Sequence, residues 1–135
     1  MMGSYDHVMM NSNDYPRAVK FYSWLMPKLG FPKIVTYDKP SLLTGWFNEQ
    51  ASFWLQPADN KYEEDLFHKA RVGLREIAFK ADTRELVDEV FREVPANGGK
   101  IVDPPQEYSY MPGYYAVYFC DPDGVKLEVV CCPRK

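Results

Sequence analysis

The feature that most constrains this chain is an internal repeat. A strand, a helix and three further strands are legible between about residues 5 and 56, and the same order returns between about residues 72 and 132. A duplicated unit of this kind sets the architecture before any single residue is weighed. In the first copy, residues 5–10 alternate as a strand and residues 11–16 form a turn in which Asp14 or Asn13 caps a helix. Residues 17–29 carry a helical stripe of Ala18, Phe21, Tyr22, Leu25 and Leu29. Pro27 should kink or shorten its end, and Gly30 should stop it. Strands are expected at 31–37, 42–47 and 51–56. The second copy starts with a strand at 74–80. A Thr83-capped helix follows over 84–94, with Leu86, Val87, Val90, Phe91 and Val94 inward, then a strand at 100–103. A Pro/Tyr loop leads to strands at 114–120 and 125–130. Between the copies, residues 57–71 read as a polar linker with room for one helical turn. The fold class is α+β, a single domain over 1–135 built from two βαβββ modules.

The sharpest local signal is Asp121-Pro122-Asp123-Gly124 followed by Val125-Lys126-Leu127-Glu128-Val129-Val130. Asp-Pro and Asp-Gly are turn dipeptides, and the run behind them alternates with period two. Glu128 therefore sits in mid-strand among apolar neighbours. Either that strand face is open to water, or Glu128 is a ligand or acid/base group in a sheet-lined cavity. Overlaying the copies places His7 on Glu76 and Trp54 on Glu128. All four share one strand parity, opposite to Val8, Phe53, Leu55, Ile77, Phe79, Leu127 and Val129. They are expected to face one concave surface, with Met9, Gln56, Tyr108, Tyr110 and Tyr115 as further walls.

Composition narrows the partners. The formal net charge is −3 and no dense Lys/Arg cluster occurs, so nucleic acid and anionic membrane are poor partners. No apolar stretch approaches a membrane span, and the N-terminal stretch lacks the charged and apolar regions of a signal peptide, so a cytoplasmic location is expected. The three cysteines, Cys120, Cys131 and Cys132, form no disulfide framework. Aromatic residues make up 16% of the chain and leave apolar surface to cover, which points to a homodimer.

Several stretches resemble the vicinal oxygen chelate superfamily, which groups glyoxalases, bleomycin resistance proteins and dioxygenases. They are Tyr5-Asp6-His7-Val8 with Arg17-Ala18-Val19-Lys20-Phe21-Tyr22, Leu29-Gly30-Phe31, Gly73-Leu74-Arg75-Glu76-Ile77-Ala78-Phe79, and Pro112-Gly113-Tyr114-Tyr115-Ala116-Val117-Tyr118 running into Asp121-Pro122-Asp123-Gly124. The resemblance covers nearly the whole chain. It implies a cupped mixed sheet with helices on its outer face, around a divalent metal held by the first and last strands of each module. Carried over, the positions are His7, Trp54, Glu76 and Glu128. Trp54 cannot ligate, so His7, Glu76 and Glu128 remain, a hard donor set suited to Mn, Fe, Ni or Zn. Glu76 and Glu128 would also be the acid/base groups, while Met9, Trp54, Gln56, Tyr108, Tyr110 and Tyr115 would hold the substrate. The implied function is a glyoxalase-like, metal-dependent lyase, isomerase or dioxygenase acting on a small oxygenated or aromatic metabolite. The alternative is a protein that only binds and sequesters a small molecule, as the bleomycin resistance members do.

Overall fold

The computed structural model describes residues 3–133, so the first two residues of the N-terminal stretch and the last two of the chain lie outside it. The chain divides into two compact units, one up to Asp65 and one from Leu66 onward. Each repeats the order strand, helix, three strands. The first holds β1 (His7–Ser12), α1 (Tyr15–Lys28), β2 (Lys33–Tyr37), β3 (Leu43–Phe47) and β4 (Ser52–Pro57). The second holds β5 (Ile77–Lys80), α2 (Arg84–Glu93), β6 (Lys100–Tyr108), β7 (Tyr114–Cys120) and β8 (Lys126–Cys131). Sheet order is β1-β4-β3-β2 in one unit and β5-β8-β7-β6 in the other. In both, the first and last strands pair in parallel and the remaining pairs are antiparallel. The expected α+β fold of two βαβββ modules is what the chain forms.

Local chemistry explains the helix limits. The Asp14 carboxylate accepts from the Arg17 amide at 3.1 Å, so an otherwise unpaired donor of the first turn is met. Pro16 occupies that first turn, where a missing N–H costs nothing. Pro27 is tolerated because it lies in the last turn, and Gly30, at φ +91°, ends the run. In the second unit the Thr83 hydroxyl accepts from the Leu86 amide at 3.1 Å. Each helix covers one face of its own sheet. Phe21, Tyr22, Leu25 and Met26 of α1 are buried, as are Trp46 and Phe53 of the first sheet. Val87 and Val90 of α2 are buried, as are Val117, Phe119, Leu127 and Val129 of the second. Each such side chain contributes roughly 1.5–3 kcal/mol on leaving water.

Three expectations needed adjustment. β1 begins at His7 rather than at residue 5, and it runs on to Ser12 through what read as a turn. β5 begins at Ile77, so Glu76 lies just ahead of its strand. The largest difference is β6, which continues to Tyr108 through Pro104 and Pro105 instead of stopping at Asp103. Proline cannot serve a central strand, but β6 is an edge strand, and its pairing with β7 shifts register around Asp103.

Candidate functional site

Each unit presents a sheet face away from its helix, and the candidate strand residues other than Tyr115 lie on those faces. In the first unit, register pairs His7 with Ser52, Met9 with Trp54 and Asn11 with Gln56, so His7, Met9, Trp54 and Gln56 share a face. Trp54 lies flat on it. Its indole N–H donates to Ser52 Oγ at 2.8 Å, and its ring stacks on Tyr37 with centroids 6.5 Å apart and planes 19° from parallel. Gly45 is the cross-strand partner of Trp54, and a Cβ there would come within 2.2 Å of the indole. Glycine at this position lets the ring lie down. A cavity of about 420 Å³ opens beside it, lined by Tyr37, Phe47, Ser52, Trp54 and the Asn48–Ala51 turn. Asp6 also lines it, and the neighbouring His7 is about half exposed. Its Nδ1 lies 2.7 Å from Asp6 Oδ2, an arrangement that leaves Nε2 as a lone-pair donor.

The second unit concentrates the ionisable chemistry. A cavity of about 350 Å³ is lined by Arg75, Glu76, Asp103, Lys126, Glu128 and four tyrosines, Tyr108, Tyr110, Tyr114 and Tyr118. The alternation of β7 places Tyr114 and Tyr118 there, and β8 places Lys126 and Glu128. Tyr115 has the opposite parity. Its hydroxyl donates to Asp88 of α2 at 2.6 Å, and the Arg84 guanidinium lies 4.7 Å from its ring centre, so it is not a wall of this cavity. Tyr108 and Tyr110, both expected as walls, do line it. Tyr114, Tyr118 and Lys126 were legible only as members of a Tyr-rich segment and a strand.

Glu128 is the chemical centre of this cavity. It is 2% exposed, and the Tyr114 hydroxyl donates a short hydrogen bond to its Oε2. Burial disfavours its charged form, and the adjoining Glu76 carboxyl, both hydrogen-bonded to it and repelling it, adds to the effect; together they push its pKa up to about 6. Burial and the Glu128 charge in turn raise the pKa of Tyr114 and of Tyr118 well above the ordinary tyrosine value. Both hydroxyls therefore stay protonated as donors. Glu76 is met from the other side by Lys126, whose Nζ is 3.4 Å from its Oε1.

These contacts bear on whether a divalent ion suits the residues. Two carboxylates in one cavity are the right donors, but Lys126 already answers the charge of Glu76. Glu128 is buried beside a second carboxyl, which favours a retained proton more than the Tyr114 hydroxyl donor opposes it. Among the described residues no group of three or more His, Cys, Asp or Glu is placed to hold a metal ion. The pair as arranged suits a proton and an ammonium rather than a dication.

The raised carboxyl has a consequence for stability. The folded state keeps the Glu128 proton up to about pH 6, whereas the unfolded chain releases it near 4.5, so stability should fall as pH rises through that window and then level off. Glu128→Gln keeps an acceptor for Tyr114 without the buried charge. It should stabilise the fold at pH 8 by on the order of 1 kcal/mol, read as a higher midpoint of thermal unfolding, and change little at pH 4.5. Parallel melts of both proteins across this range check it.

Comparison with known proteins supplies the evolutionary context. The family model of the Glyoxalase/Bleomycin resistance protein/Dioxygenase superfamily matches residues 4–129. An uncharacterised protein of Bacillus subtilis, YqjT, is 27% identical over 125 residues, spanning 92% of this chain and 95% of that one. A glyoxalase/bleomycin resistance protein from Albidiferax ferrireducens superposes with a TM-score of 0.79 at 25% identity, covering 95% of this chain and 98% of the other. The fosfomycin resistance protein FosX from Listeria monocytogenes shares the fold, with a TM-score of 0.66 at 16% identity over 98% of this chain and 96% of its own.

Proposed function

The chain belongs to the Glyoxalase/Bleomycin resistance protein/Dioxygenase superfamily, and on that premise we propose that it is a small-molecule-binding protein whose ligand is held in the tyrosine-lined cavity of the second unit. Glu128 is its proton-exchanging group. The observation that carries this reading is the buried Glu128 carboxyl with the Tyr114 hydroxyl on it, inside a cavity large enough for a small metabolite. A midpoint of about 6 leaves both forms of Glu128 populated near neutral pH, which suits a group that gives or takes a proton at a ligand oxygen. The tyrosine hydroxyls supply neutral donors to the same oxygen. Binding alone, or proton transfer within the cavity, is accessible to this set, and the protein acts as a homodimer.

The reading is tested with small oxygenated and aromatic metabolites added to the wild type and to Tyr114→Phe, followed by thermal shift. Ligands that stabilise the wild type should lose most of their effect on the variant, since each good ligand stabilises in proportion to its occupancy. Equal shifts in both proteins would place the ligand elsewhere and end the reading.

A second reading has its own support. The Glu76 and Glu128 carboxyls share one cavity, and carboxylates are hard donors that suit a divalent ion. A divalent ion on the Glu76 and Glu128 carboxylates would make the chain a metal-dependent lyase, isomerase or dioxygenase. The ion would supply Lewis acidity when bound, and Lys126 would have to leave Glu76. Calorimetric titration with Mn²⁺, Ni²⁺ and Zn²⁺ separates the two. The proton-holding reading expects the same weak uptake by the wild type and by Glu128→Ala. The metal reading expects one ion on the wild type alone.

A further inference from the structure

The rings of the second cavity are arranged in two orientations. Tyr108 and Tyr110 are parallel to within 1°, with centroids 5.4 Å apart. Tyr114 stands at 90° to Tyr110, and Tyr118 at 89° to Tyr108. Four electron-rich rings thus wall a space that also receives the carboxyls of Glu76, Asp103 and Glu128. Against these three acids stand two cations, Arg75 and Lys126. The chain itself shows what such a place holds. Lys126 Nζ sits 4.8 Å from the centre of the Tyr118 ring and 3.4 Å from Glu76 Oε1, so a positive group rests on an aromatic face with a carboxylate beside it. That is the geometry by which aromatic walls recognise ammonium groups, the attraction between ring and cation growing as water is excluded.

We propose that this cavity selects small organic cations, an ammonium or quaternary ammonium group taking the place between Tyr118 and Glu76 that the Lys126 ammonium occupies in the free protein. The inference rests on the small-molecule reading above and names the chemical class of the ligand. A small organic cation suits this place better than a compact metal ion does, because it takes the Tyr118 face and the Glu76 carboxylate that the Lys126 ammonium already holds and demands no ordered set of oxygen ligands. Lys126 then acts as an internal competitor: it neutralises Glu76 when the cavity is free and swings toward water when a ligand arrives.

The test uses the full chain and three probes: choline, its uncharged carbon isostere dimethylbutanol, and benzoate as an anion of comparable size. Binding is followed by tyrosine chemical shifts in NMR titration. Choline should bind and shift Tyr118, and dimethylbutanol should bind at least about tenfold more weakly, the value of a cation on a desolvated ring. Lys126→Ala removes the competitor and should tighten choline binding several-fold, whereas Glu76→Gln should weaken it. A merely structural Lys126 would not give a gain of affinity on removal. Dimethylbutanol binding as well as choline, or Lys126→Ala weakening choline, would overturn the inference. Benzoate binding in the cavity while choline does not would overturn the inference and leave the small-molecule reading standing. Failure of all three probes would count against both.

Discussion

Asp121→Ala should cost about 3 kcal/mol of folding stability, from the loss of two hydrogen bonds to a buried carboxylate. Asp121 is 3% exposed, and a single oxygen, Oδ1, accepts from the amides of Asp123 and Val125, each at 2.9 Å. Those bonds close the turn between β7 and β8. The same hairpin carries Tyr114, Tyr118, Lys126 and Glu128, so the cost falls on the functional cavity as well as on the fold. Asp121→Asn keeps an amide oxygen where Oδ1 stands and should cost only about 1 kcal/mol, the difference between a charged and a neutral acceptor. Urea unfolding of both variants measures this. Equal losses for Asn and Ala would mean that the charge, not the accepting atom, holds the turn.

Gly45→Ala should be the most damaging of the conservative changes on the first sheet. The added methyl would lie 2.2 Å from Trp54 Cε3, well inside contact distance, so the indole must lift off the sheet. Overpacking of this kind costs roughly 1–3 kcal/mol. Lifting the ring also breaks its stack on Tyr37 and its bond to Ser52. A double-mutant cycle isolates the cause. In a Trp54→Ala background the same Gly45→Ala change should be nearly neutral. A full cost in that background would place the strain in the strand rather than under the ring.

The repeat made both modules legible, because hydrophobic periodicity and turn residues act locally. Strand ends were less legible. Residues 100–103 read as a strand that gives way to a loop at Pro104 and Pro105, since the edge position that excuses the prolines is a tertiary fact. Glu76 read as a strand residue, yet pairing begins one residue later at Ile77, and continuing that register places Glu76 opposite Lys126, where the two side chains meet. The neighbours of Glu128 could have been found. With Lys126 opposite Cys120 across the Asp121–Val125 turn, counting along the antiparallel pair puts Tyr118 opposite Glu128. The same parity turns Tyr115 toward α2 and Tyr114 into the cavity. The Tyr37 stack on Trp54 had no such signal, because it depends on how far β2 and β3 let a ring reach over Gly45.

The pivot of the functional reading is the proton on Glu128. Its titration can be followed directly by carbon NMR of the side-chain carboxyl, in the absence and presence of Zn²⁺. A midpoint of about 6, unmoved by the ion, is the expected result. A midpoint at or below the ordinary value of 4.5, or a proton displaced by one equivalent of Zn²⁺, would contradict the proton-holding cavity and return Glu128 to the metal-ligand role.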